Sequence, residues 1–371
     1  MFLTKLWMMN ENDIIKALST VQEPDLGRDI VTLNMVKDIS INDDIVSFTI
    51  VLTTPACPLK EVMRTDCIKT IQQIDENIIV NINFTSYTTS KRTDGKILLP
   101  GVKNIIAVVS GKGGVGKSTV AANLALALSQ HNAKIGLMDA DIYGPSVPIM
   151  FGVRGERPMM RDVNGKGMIV PLERYGIKLM SIGLLVDEKS AVVWRGPMVS
   201  SAIKQFVTDV DWGELDYLVI DMPPGTGDIH LTLMQTVPVT GAVIVTTPQP
   251  VALADAKKGI AMFAQAQLKV PIIGLVENMA YFTPGELPNN KYFIFGKEGG
   301  KHLAEEYDLP FLGQIPLIQN IREGGDEGIP AMMGDNEDSR NAFENFAALA
   351  ARSISMLNAN FSEEKVAQVV D

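Results

Sequence analysis

The sequence predicts an α/β protein, a doubly wound and mostly parallel sheet preceded by a small α+β domain. Three observations carry this expectation. From Lys103 onward apolar runs alternate with helical patterns, and several runs are continuous, as parallel strands covered on both faces require. One of these runs, residues 105–109, leads straight into the glycine-rich stretch Gly111-Lys112-Gly113-Gly114-Val115-Gly116-Lys117-Ser118-Thr119, and a helical pattern follows it. Residues 10–90 read differently, as a small unit with two helices and two strands.

The chain has 371 residues, enough for two domains with their own cores, and 46% apolar residues fit a globular protein. A net charge of −10 argues against binding nucleic acid by bulk electrostatics, so no nucleic-acid partner is expected. No apolar stretch is long enough to span a bilayer, so no membrane partner is expected either. Residues 1–9 are too short for a signal peptide and lack a cleavage site, and Met8 and Met9 offer alternative starts. A cytoplasmic location is therefore expected, where thiols stay reduced and Cys57 and Cys67 do not form a structural disulfide.

The elements follow in order. In the first unit, residues 1–90, helices are expected over 13–19 and 58–74 and strands over 45–52 and 78–84. A polar linker occupies 91–102. The second unit, 103–355, has expected strands at 105–109, 135–138, 178–182, 217–220, 242–246, 272–276 and 311–315, and helices at 118–130, 199–207 and 252–267. Residues 356–371 are acidic toward the end and are expected to form a disordered tail. In such sheets ligands bind beyond the carboxyl ends of strands. Four segments fall there: the glycine-rich stretch, 139–141, 221–227 and 277–278.

The glycine-rich stretch fits G-x-x-x-x-G-K-[ST], in which backbone N–H groups and a helix N-terminus cradle phosphate. It points to ATP and Mg2+, with Gly111 to Thr119 as the binding loop. Lys117 would pair with the β- and γ-phosphate oxygens, and Ser118 would offer its hydroxyl to magnesium. Lys112 reads either as a solvated turn lysine or as a cation delivered to phosphates in a neighbouring subunit. Asp139, Asp141 and Asp221 each end a strand. Asp141 and Asp221 are candidate catalytic carboxylates, Asp221 holding magnesium through water, while a helix N-cap is the alternative for each. Gly225 and Gly227 could aim N–H groups at a γ-phosphate. Asn278 reads as an adenine contact or as a turn asparagine. Cys57, ahead of Pro58, falls near an expected helix start where the dipole favours a thiolate; it is a candidate iron–sulfur ligand or a structural residue. Cys67 shares a helical stripe with Met63, Ile71 and Ile74 and is expected to be core.

The run Lys112 to Ser118 resembles the deviant phosphate loop of the dimeric P-loop ATPases. These include septum-site and chromosome-partitioning ATPases, the nitrogenase iron protein and arsenite-pump ATPases. Four further segments narrow the resemblance: Met138-Asp139-Ala140-Asp141-Ile142-Tyr143-Gly144-Pro145-Ser146, Trp194-Arg195-Gly196-Pro197-Met198, Asp221-Met222-Pro223-Pro224-Gly225-Thr226-Gly227-Asp228, and Ile315-Pro316-Leu317 with Ile321-Arg322-Glu323. Together they are similar to the Mrp/ApbC family of iron–sulfur cluster carrier ATPases over roughly residues 103–350. The resemblance implies a P-loop ATPase domain acting as a homodimer, with Lys112 reaching across it, Asp141 in a first switch and Asp221 in a second. It implies an iron–sulfur cluster as cargo and apo iron–sulfur proteins or assembly factors as partners. Asp25-Leu26-Gly27 and Thr53-Thr54-Pro55-Ala56-Cys57-Pro58-Leu59 resemble a small domain found in iron–sulfur assembly factors. One departure stands out. The family places a Cys-x-x-Cys soon after Glu-Asn-Met, where two subunits share a cluster. Here Glu277-Asn278-Met279 is followed by Ala280-Tyr281-Phe282-Thr283-Pro284, and residues 103–355 contain no cysteine. A nucleotide-switched adaptor that carries no cluster is therefore the alternative. A positioning ATPase at membrane or nucleoid ranks third, because it needs a basic tail or patch.

Overall fold

The computed structural model describes residues 9–42, 44–88, 90, 98–163, 165–186, 196–265, 268 and 270–369. Met1–Met8, linker residues 91–97, Trp194, Arg195, two residues of the helix expected over 252–267 and the last two tail residues lie outside the described residues. The chain divides into two compact units, residues 1–89 with 358–371, and residues 90–357.

The first unit runs α1 (Glu11–Leu18), β1 (Gln22–Glu23), β2 (Arg28–Asp29), β3 (Val36–Asn42), β4 (Ile45–Leu52), α2 (Lys60–Gln72) and β5 (Ile79–Ser86). Asn10 and Asp13 close a capping box at the start of α1. β1 and β2 form a small antiparallel pair, while β3, β4 and β5 form a sheet in that order, β3–β4 antiparallel and β4–β5 parallel. β4 turns Val46, Phe48, Ile50 and Leu52 inward onto Ile14, Leu18, Met63, Cys67 and Ile71. Sequence reading missed β3. Its apolar residues are interrupted by Lys37 and Asp38, Asp38 sits at φ 53°, and the pairing slips between Lys37 and Ser40.

The second unit continues β6 (Val102–Val109), α3 (Lys117–Ser129), β7 (Ile135–Asp139), α4 (Val147–Met150), β8 (Met159–Val163), β9 (Lys166–Val170), β10 (Leu172–Arg174), β11 (Ile177–Ser181), α5 (Gly196–Thr208), β12 (Leu215–Asp221), α6 (Asp228–Thr236), β13 (Gly241–Thr246), α7 (Pro250–Phe263), β14 (Ile272–Glu277), α8 (Gly299–Glu306), β15 (Phe311–Gln314), α9 (Gln319–Glu327) and α10 (Glu337–Val369). One eight-stranded sheet has the order β10-β11-β7-β12-β6-β13-β14-β15, and every neighbouring pair except β10–β11 is parallel. All seven strands expected from the apolar runs are in it. The edge strand β10 and the β8–β9 hairpin were not legible, because β8 and β10 mix exposed and charged residues and the apolar run of β9 is only three residues long.

β6 is central, and residues 105–109 are buried on both faces. Each fully buried aliphatic side chain of this kind stabilises the fold by about 2 kcal/mol. The chain leaves β6 for β7 and β12 on one side and for β13 on the other, so the sheet reverses its order at the C-terminal end of β6. α3, starting there, is buried nearly all round. The last helix does not stop at residue 355. It runs to Val369 because residues 337–369 contain neither glycine nor proline to break it. Among the described residues, no helix is long and apolar enough to cross a membrane.

Candidate nucleotide site

The glycine-rich stretch is the turn from β6 into α3. Gly114 and Gly116 sit at φ 82° and 81°, the left-handed region that a side chain resists. Gly116 is also the N-cap of α3, and a Cβ there would run into the Asn278 amide. A cleft of about 200 Å³ opens over the loop, lined by Lys112, Gly114, Lys117, Ser118, Asp141 and Pro224 among others. The Ser110 hydroxyl donates to the Lys112 carbonyl at 2.9 Å, while among the described residues the Lys112 ammonium makes no ion pair.

Lys117 is buried, 6% exposed, and pairs with two carboxylates. Its Nζ lies 2.5 Å from Asp221 Oδ1, 3.9 Å from Asp141 and 3.3 Å from the Ser118 hydroxyl. Asp221 and Asp139 are register partners on β12 and β7, and both are fully buried. Asp139 accepts from the Ser181 hydroxyl at 3.0 Å and from the backbone N–H groups of Asp141 and Val147. It thus serves the first turn of α4, close to the capping alternative. Asp221 caps nothing, since the N-cap of α6 is Gly227. Its Oδ2 is buried and has no hydrogen-bond partner. A carboxylate oxygen left bare beside a lysine and a serine hydroxyl suits a divalent cation bound directly or through water.

Burial first, then the nearby Asp221 carboxylate, pushes the Asp139 carboxyl up to about 8. Asp141 is raised too, chiefly by burial, with Lys117 opposing. A carboxyl raised on folding contributes stability that is complete below the unfolded value and lost as pH rises through the folded one. Thermal unfolding without nucleotide is therefore expected to occur at progressively lower temperature from about pH 4 to about pH 8. Asp139→Asn should flatten that slope. A wild-type profile level across the window would contradict the assignment.

The segment after Asp221 is pinned rather than free. The N–H of Met222 donates to Val108 and that of Gly225 donates to Ser110, at 3.0 Å for the second. The Gly225 N–H that sequence reading aimed at a γ-phosphate is thus committed to the phosphate loop itself. Asn278 is equally occupied. Its Nδ2 donates to the Val115 carbonyl at 2.8 Å and its backbone N–H to Thr246, so its amide nitrogen braces the loop. Asn278 also borders a separate cavity of about 310 Å³, lined by Gly116, Ile149, Pro316, Ile321 and Arg322 among others. Of its wall, Pro316, Leu317, Ile321 and Arg322 stood out in the sequence only for their resemblance, and Ile318, Gly325 and Asp326 not at all. Their proximity to Gly116 depends on tertiary contacts that no local pattern announces.

Both cysteines belong to the first unit. α2 starts at Lys60 with Leu59 as its N-cap, so Cys57 lies three residues ahead of the helix and not in its first turn. Pro58 disfavours a helical Cys57 and delays the start. Cys57 is half-buried. Cys67 is core as expected, its thiol pushed up to about 12 by burial and by Asp66. Among the described residues no three His, Cys, Asp or Glu side chains converge as a metal site.

A left-handed glycine loop, at the point where a parallel sheet reverses its order, together with a buried lysine facing strand-end aspartates, defines a P-loop nucleotide-binding domain. The family described as NUBPL iron-transfer P-loop NTPase matches residues 101–352, and that described as iron-sulfur cluster assembly protein matches residues 11–84. The chain belongs to the NUBPL iron-transfer P-loop NTPase family, with an iron–sulfur assembly domain ahead of it. An iron-sulfur cluster carrier protein from Synechocystis is 46% identical over 351 residues, covering 94% of this chain and 99% of that protein. The chloroplastic Fe-S cluster assembly factor HCF101 of Arabidopsis thaliana is 43% identical over 330 residues, covering 88% of this chain and 60% of that protein. A solved nucleotide-binding protein from Archaeoglobus fulgidus, in complex with ADP, is 40% identical, covers 62% of this chain and 88% of its own, and superposes with a TM-score of 0.54.

Proposed function

We propose that this protein hydrolyses ATP, as a homodimer, to drive iron–sulfur cluster transfer to apoproteins during cluster assembly. The observation that carries the reading is Lys117 buried between Asp221 and Asp141 at the mouth of the phosphate loop. Lys117 and the loop N–H groups would hold the phosphates. Ser118 and Asp221 would hold Mg2+, which when bound neutralises charge on the phosphate oxygens. Asp141 would orient water, and Lys112, without an ion-pair partner among the described residues, would serve the neighbouring subunit. Relatives named as cluster carriers and assembly factors support the cargo.

The cargo step has a second reading. Clusters are held by thiolates, and residues 103–355 contain no cysteine, so the candidate thiol is the half-buried Cys57 rather than the buried Cys67. A nucleotide-switched adaptor that carries no cluster fits this. Iron and acid-labile sulfide per chain after anaerobic reconstitution separate the two. Carriage predicts stoichiometric iron in wild type that is lost in Cys57→Ala. No iron in either leaves the adaptor.

A further inference from the structure

His230 is used by nothing described so far, yet it is 2% exposed and sits beside the segment that follows Asp221. It is the third residue of α6. Its Nε2 lies 2.8 Å from the Pro223 carbonyl oxygen. A carbonyl only accepts, so Nε2 must carry the proton, and the ring is the neutral Nε2–H tautomer. Burial favours that neutral form and lowers its affinity for a second proton. The ring also interacts with the Gly227 backbone, so it meets the main chain of this segment at both of its ends.

What the ring holds is specific. Pro223 and Pro224 have no backbone N–H, so the ordinary backbone means of fixing this stretch are missing. Its remaining anchors are Met222 to Val108 before it and Gly225 to Ser110 after it. The Pro223 carbonyl lies between those two anchors, and His230 fixes it from the following helix. Pro224, next in the chain, lines the phosphate-loop cleft, and its Cβ would stand 4.0 Å from a Cβ built at Gly113. Gly225, at φ 96°, would otherwise swing easily.

We propose that His230 is a positioning residue of the nucleotide site: its Nε2–H holds the Pro223 carbonyl and so sets Pro224 and the 225–227 backbone against the phosphate loop. This rests on the hydrolysis reading above. The phosphate loop and Lys117 capture nucleotide without His230. Alignment for hydrolysis depends on it, so its loss should appear in kcat and not in KM.

The test uses three substitutions in the full-length protein. Glutamine places its Nε2 the same number of bonds from Cα as the imidazole Nε2 and can keep the bond to Pro223. Asparagine and leucine cannot reach. His230→Asn and His230→Leu are expected to lower kcat for ATP by roughly tenfold with KM changed by less than about twofold, while His230→Gln retains at least about half of kcat. Thermal unfolding and binding of a fluorescent ATP analogue are measured on all three, so that a misfolded variant is recognised. Wild-type kcat in His230→Asn overturns the inference. So does a His230→Gln as slow as the leucine variant, or a loss that falls on KM. A wild type that binds nucleotide but never releases phosphate overturns the hydrolysis reading, and this one with it.

Discussion

Lys117→Ala is expected to weaken ATP binding by at least roughly 100-fold, equivalent to about 2.7 kcal/mol. The magnitude follows from what surrounds the side chain. Among the described residues Lys117 is the buried cation that interacts with Asp139, Asp141 and Asp221, and none of the loop's N–H donors can replace a full charge on a polyphosphate. Alanine would also leave Asp221 Oδ1 as bare as Oδ2 already is, on a carboxylate that is fully buried. The carboxylates would then relieve their repulsion by taking up protons, which steepens the loss of stability with rising pH. Titration with a fluorescent ATP analogue reads the first effect and unfolding at two pH values reads the second. Binding within about threefold of wild type would remove Lys117 from the proposed phosphate contacts.

Asp221→Asn is expected to behave in the opposite way, keeping nucleotide and losing turnover. Asparagine is nearly isosteric, and its amide oxygen can still accept from Lys117. What disappears is the negative charge that the unpartnered Oδ2 presents. Phosphate release should fall by roughly 100-fold, and half-saturation by Mg2+ should rise, with ATP affinity measured at saturating metal little changed. Unchanged release together with an unchanged Mg2+ requirement would exclude Asp221 from holding the ion.

The sheet was legible because parallel strands buried on both faces leave continuous apolar runs, and 105–109 or 242–246 can hardly be read otherwise. The phosphate loop was legible for a similar reason, being nine consecutive residues whose glycines serve local backbone conformation. The pairings that complete the site were not. Lys117 meets Asp221 across 104 positions and Asn278 meets Val115 across 163, and no periodicity encodes such distances. His230 looked like a scattered histidine because its side chain meets main-chain groups, such as the Pro223 carbonyl, which any residue type would supply. Cys57 was placed too close to α2 because a proline marks a helix start only to within a turn.

The Asn278 brace reaches further than the loop it supports. Beyond it the chain is stitched down at every second residue or so: Ala280 donates to Ile315, Leu317 donates to Tyr281, and Phe282 and Tyr292 exchange backbone bonds that close off 283–291. A protein gripping that exposed stretch and a nucleotide seated in the loop would therefore load one stiff lever from its two ends. Reciprocity then fixes their relation. By whatever factor ATP tightens the grip, the gripping partner tightens ATP, and releasing either one loosens the other equally.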